Sequence, residues 1–173
     1  MNRLSSAART VKVVLGVLMI VSFFLPWVAQ TPSCMDKTVV VRDNISGLTL
    51  VREGTTTEAI LAPLFGAAVA AAALAIRGTR LPLARSLVSL AEIPAAFFLF
   101  VYIDIALGLF TPFIVRYGWA MTAVLIWGVL IVAVGEVGIH FVPLKRRGRV
   151  IVCVVIAAYV LLIVVDSLAR LFT

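Results

Sequence analysis

Five apolar stretches, each long enough to cross a bilayer and joined by short loops alternately rich and poor in Lys and Arg, constrain this chain most. They cover residues 11–29, 59–76, 86–110, 119–142 and 150–171. At a rise of 1.5 Å per residue, about 20 residues span the roughly 30 Å of hydrocarbon in a bilayer. Backbone groups in lipid must be hydrogen-bonded within the segment, so such stretches are read as helices. The expected fold is an all-α polytopic membrane protein, a bundle of five transmembrane helices forming a single membrane domain over residues 1–173. Composition agrees, because 63% hydrophobic residues and a mean hydropathy of +1.17 leave too little polar surface to cover a water-soluble globule. The first stretch is longer than a signal-peptide core and lacks a good cleavage site near Ala29, so an uncleaved helix is expected.

Ten of the fifteen cations fall on one side of this topology. They are Arg3, Arg9 and Lys12 before the first helix, Arg77, Arg80 and Arg85 in the second loop, and Lys145, Arg146, Arg147 and Arg149 in the fourth. The other side holds Lys37, Arg42, Arg52, Arg116 and Arg170, diluted by Asp36, Asp43, Glu53 and Glu58. Cations near helix ends are retained in the cytoplasm, which sets the N-terminus inside and, after an odd number of crossings, the C-terminus outside. The net charge of +7 therefore reads as adhesion of inner loops to anionic lipid headgroups, with no nucleic acid partner.

The loop 30–57 is the only outer one long enough to fold. Thr38-Val39-Val40-Val41 and Leu48-Thr49-Leu50-Val51 have strand character and flank turn residues Asp43, Asn44 and Gly47, which predicts a small extracytoplasmic β-hairpin. Cys34 in this loop and Cys153 near the inner end of the fifth helix are separated by the membrane and cannot pair; Cys153 is expected to be buried filler.

Helix packing in lipid relies on small residues. The Ala-rich second helix, with Gly66 and Ala70, is expected at the bundle centre, and Gly128 and Gly135 on the fourth helix share a face and make a second contact stripe. Pro94 is expected to bend the third helix. Trp27, Tyr117 and Trp119 are expected in an outer aromatic belt.

Ionisable groups inside spans are costly and count as functional candidates. Glu92, Glu136 and His140 lie at similar inner depth and form a candidate polar site, for a proton relay or a metal, or neutralised by Arg85 or Lys145. Asp104, Asp166 and Arg170 form a candidate outer set, Asp166 and Arg170 standing at the favourable i, i+4 spacing.

Leu25-Pro26-Trp27 closing the first helix, followed by Gly47-Leu48 in a β-rich loop, resembles the opening of the claudin-like tetraspan fold over about a quarter of the chain. Thr49 stands where that family carries a third motif aromatic, its paired loop cysteines are missing, and a fifth helix is added. The assignment is therefore not adopted.

No nucleotide loop, cofactor motif or catalytic constellation is recognisable, so the sequence points away from an enzyme. The expectation is a non-catalytic accessory or assembly subunit of a larger membrane complex in a prokaryotic inner membrane. The alternative is an oligomeric transporter or channel component working through Glu92, Glu136 and His140.

Overall fold

The computed structural model describes the backbone of residues 2–30, 44–76, 82–109, 113–142 and 144–171, and the side chains of 6–29, 44–76, 82–107, 114–142 and 144–159. The chain is mostly helical. Its helices are α1 (Asn2–Ser22), α2 (Gly47–Arg52), α3 (Leu61–Ala75, entered through a 3-10 turn at Thr57–Ile60), α4 (Pro82–Leu109), α5 (Tyr117–Phe141) and α6 (Arg146–Leu171). Three helical stretches, Thr57–Ala75, Pro82–Leu107 and Tyr117–Phe141, are long and apolar enough to cross a membrane among the described residues, which marks a multi-pass membrane protein. Val124 and Ile131 on α5 and Phe98 on α4 are about two-thirds exposed, an arrangement that lipid accepts and water does not.

The first helix ends at Ser22 and not near Ala29. Pro26 has no N–H to continue the helix and disfavours helical geometry in the residue before it, so the chain turns at Phe23 to Leu25 and continues as strand β1 (Pro26–Gln30). The expected hairpin is also replaced. Leu48 to Val51 lies in α2, because Ser46 caps a helix by accepting a hydrogen bond from the Thr49 N–H at 3.2 Å. Thr38 to Val41 lies outside the described residues. The sheet is three-stranded and antiparallel in the order β2 (Ile45–Ser46), β1, β3 (Phe113–Val115). Pro26 pairs with Ser46, and Val28 lies between Ile45 and Val115. Of the two segments that carry the tetraspan resemblance, Pro26-Trp27 opens β1 and Gly47-Leu48 opens α2, directly after β2.

Helix α1 packs between α3 and α5, α4 packs on α5 and touches α3, and α6 lies outside against α4. The Ala-rich α3 is therefore peripheral, not central; its small residues serve one partner. A Cβ at Gly16 would lie 2.4 Å from the Gly66 carbonyl oxygen and 3.0 Å from the Ala70 Cβ, so only glycine lets these backbones meet. Gly128 faces Leu15 of α1, but Gly135, one stripe position on, has nothing within 4 Å and gives no second contact. Helix α4 runs unbroken through Pro94.

Trp27 and Trp119 are core residues and not a membrane belt, because β1 folds back over the helix ends. Trp27 is fully buried, its Nε1 donates to the Ser22 carbonyl at 2.8 Å, and its ring lies 5.3 Å from that of Trp119, which stacks on Phe100. Tyr117 remains exposed. Cys153 is exposed on α6 rather than buried, because the packed face of this helix is the one that carries Val152.

These contacts separate the two glycine stripes experimentally. Gly16→Val forces a side chain into backbone and is expected to destabilise the fold by about 2 kcal/mol or more, whereas Gly135→Ala stays within about 0.5 kcal/mol. Thermal unfolding of both variants in detergent checks this.

Candidate functional site

At the end of the bundle opposite the sheet, the first half of α1, the start of α4 and the last turns of α5 converge on one cation. Lys12 lies at the midpoint of α1, on the same buried face as Gly16 and Met19, and is only 3% exposed. An ammonium has three hydrogen-bond donors and no acceptor. Lys12 Nζ donates to Glu92 Oε2 and to Ser89 Oγ at 3.1 Å, and forms an ion pair with Glu136 Oε2 at 2.5 Å. The Ser89 hydroxyl in turn donates to Glu136 Oε2 at 2.8 Å, which closes the ring between α4 and α5.

The spacing on each helix produces this convergence. Ser89 and Glu92 are three apart on α4, and Glu136 and His140 four apart on α5, so each pair shares a helix face. Ala73 and Ile76, at the end of α3, supply an uncharged wall. Between them lies a cavity of about 30 Å³, lined by the three acceptor residues Ser89, Glu92 and Glu136, by His140, and by Arg9, Lys12 and Arg85.

Glu92, Glu136 and His140 are thus brought to one cavity, but the cation that joins the carboxylates is Lys12 and not Arg85 or Lys145. Arg85 lines the cavity, while Lys145 is exposed near the start of α6. Among the described residues no group of His, Cys, Asp and Glu is arranged to hold a metal ion. The ammonium occupies the point where two carboxylate oxygens and a hydroxyl meet.

Of the outer set, Asp104 is exposed on α4 and forms no salt bridge among the described side chains; the side chains of Asp166 and Arg170 lie outside them. Sequence reasoning placed Lys12 with the headgroup cations because Arg3 and Arg9 precede it. The overlooked signal was periodicity: Lys12 falls inside an apolar run, in phase with Gly16, Met19 and Phe23.

A second polar contact holds the C-terminal end of α1. Ser22 Oγ and Thr122 Oγ1 are 2.8 Å apart, and each also lies within reach of a carbonyl on its own helix, Met19 O and Gly118 O. Each hydroxyl has one proton, so two of these three bonds exist at any moment. No family model, curated protein or solved structure matches the chain.

Removing the cation leaves two buried carboxylates facing each other. Lys12→Met is expected to cost about 3–5 kcal/mol, and adding Glu92→Gln with Glu136→Gln to recover most of that loss. Thermal melts of the single and triple variants in the same detergent measure both.

Proposed function

We propose that this chain is a non-catalytic accessory or assembly subunit of a larger membrane complex, crossing the membrane five times with its N-terminus in the cytoplasm. The observation that carries the reading is the closed Lys12 cluster. The two carboxylates that were the strongest catalytic or transport candidates are held by a cation of the same chain, which makes them a clamp between helices. Function then falls to surfaces. Charge placement supports the orientation, since Arg9 and Arg85 lie at the cluster end and Arg52 and Arg116 at the sheet end. Val11, Val14, Val17 and Val21 form an exposed apolar stripe on α1, which supports lipid contact for that helix as well. Inner loops rest against anionic headgroups in this arrangement, consistent with a prokaryotic inner membrane.

The cavity beside the cluster favours the second reading, an oligomeric transporter or channel component using Glu92, Glu136 and His140.

Two measurements test the proposal. In intact cells of a Cys153→Ser variant, a membrane-impermeant maleimide is expected to label Cys34 in the loop 30–57; labelling only after permeabilisation would reverse the orientation. Purified in mild detergent, the protein is expected to run with different polypeptides. A homo-oligomer that conducts ions in liposomes, and loses conduction in Glu136→Gln, would instead establish the second reading.

A further inference from the structure

Beside the Lys12 cluster, two buried polar atoms have no hydrogen-bond partner among the described residues. Glu92 spends Oε2 on Lys12, but its other oxygen, Oε1, has no partner, and His140 Nε2 has none either. Both residues are more than nine-tenths buried, at 7% and 6% exposed, and both line the same cavity. Buried polar atoms in native proteins are almost always hydrogen-bonded, to protein or to ordered water. A water needs roughly 10–15 Å³ and two to four polar partners. The cavity supplies about 30 Å³, with Glu92, Glu136, His140, Arg9 and Arg85 around it.

We propose that this cavity is a hydrated proton-binding site, in which one or two waters bridge Glu92 Oε1 and His140 Nε2 and a proton is shared between carboxylate and imidazole. The inference does not rest on the accessory-subunit reading. The chemistry is a proton transfer only: the proton enters from the aqueous side at the open end of the cavity, and it converts either the carboxylate to the acid or the imidazole to the imidazolium. Every charged group around the site takes part in its balance. Helix α1 contributes Arg9 and Lys12, α4 contributes Arg85 and Glu92, α5 contributes Glu136 and His140, and α3 contributes only Ala73 and Ile76. Lys12 contacts both carboxylates, and Arg9 and Arg85 line the same cavity, so two carboxylates and three cations set the charge that an entering proton meets. His140 is well suited as the other acceptor, being the residue type that titrates nearest neutral pH.

His140 is the only histidine in the chain, so its imidazole signal in nitrogen NMR needs no assignment. The wild-type protein in liposomes is followed over pH by that signal and, in parallel, by the carboxylic-acid stretching band in infrared difference spectra. Two groups sharing a proton titrate as a pair, so both probes are expected to report the same midpoints. Glu92→Gln removes the carboxylate of the proposed pair and is expected to move the His140 midpoint to lower pH by about one unit or more. Ala73→Leu fills the cavity from its uncharged wall and is expected to uncouple the two probes while Lys12 keeps its partners. Independent midpoints in the wild type, an imidazole that does not titrate, or a His140 midpoint unmoved by Glu92→Gln would overturn the proposal.

Discussion

One buried ammonium fixes how three helices of this protein sit against each other. In lipid no hydrophobic effect distinguishes a neighbouring helix from an acyl chain, so rotation and depth of each helix have to be specified by close packing and polar contacts. Lys12 specifies both for α1, α4 and α5 at once, because its ammonium donates to Ser89 and Glu92 on one neighbour and pairs with Glu136 on the other. Taking such charges out of water is expensive, and the arrangement is tolerated only with every partner in place. A helix turned by one residue would leave an ammonium or a carboxylate in hydrocarbon. The cluster therefore acts less as a source of stability than as a penalty on every wrong register.

The opposite end of the bundle is held by different means. There β1 returns over the helix ends, Trp27 fills the space between α1 and α5, and Gly118 admits the Pro26 carbonyl where a Cβ would lie 2.4 Å away. Gly47 does the same for Phe23, so the strand, the short helix α2 and the end of α1 close into one apolar cap. At this end Ser22 and Thr122 give α1 and α5 a second polar contact beside that of Lys12 with Glu136. Helix α1 is thus fixed at its midpoint by Lys12, at its C-terminal end by Ser22 and at the Gly16 and Gly66 crossing between them, which explains why it, and not the Ala-rich α3, occupies the middle.

Much of this was legible in the sequence, and the misses have physical reasons. The long apolar segments, their approximate ends and the small-residue contact of Gly66 follow from hydropathy and side-chain size, both local properties. The first segment was read too long because hydropathy continues through Leu25-Pro26-Trp27, while Pro26 ends the helix. The run Leu48 to Val51 carries strand-like residues, yet a cap at Ser46 makes it helical, since a single side-chain bond outweighs weak β propensity. Phe113–Val115 joins the sheet across a large sequence separation that no local pattern announces. Glu92, Glu136 and His140 were recognisable as a group by depth. Their cation was not, because the cationic flank of a helix and a lysine inside it look alike unless the phase is followed.

The fold and the polar site cannot be separated, because one stripe of small residues creates both. Gly66, Ala70 and Ala73 lie on the face of α3 turned toward α1, at spacings of four and three. The first two let α1 approach until Gly16 touches the backbone of α3, which carries Lys12, one turn earlier on the same face of α1, toward Glu92 and Glu136. Ala73 then stands level with the cluster and is too short to fill the space left there, so the close crossing ends in a cavity and not in a solid core. A leucine at this position would bury more apolar surface. With alanine there, Glu92 and His140, whose Oε1 and Nε2 have no partner among the described residues, line a space large enough for water, and the bundle keeps a polar opening at the end where its cations gather.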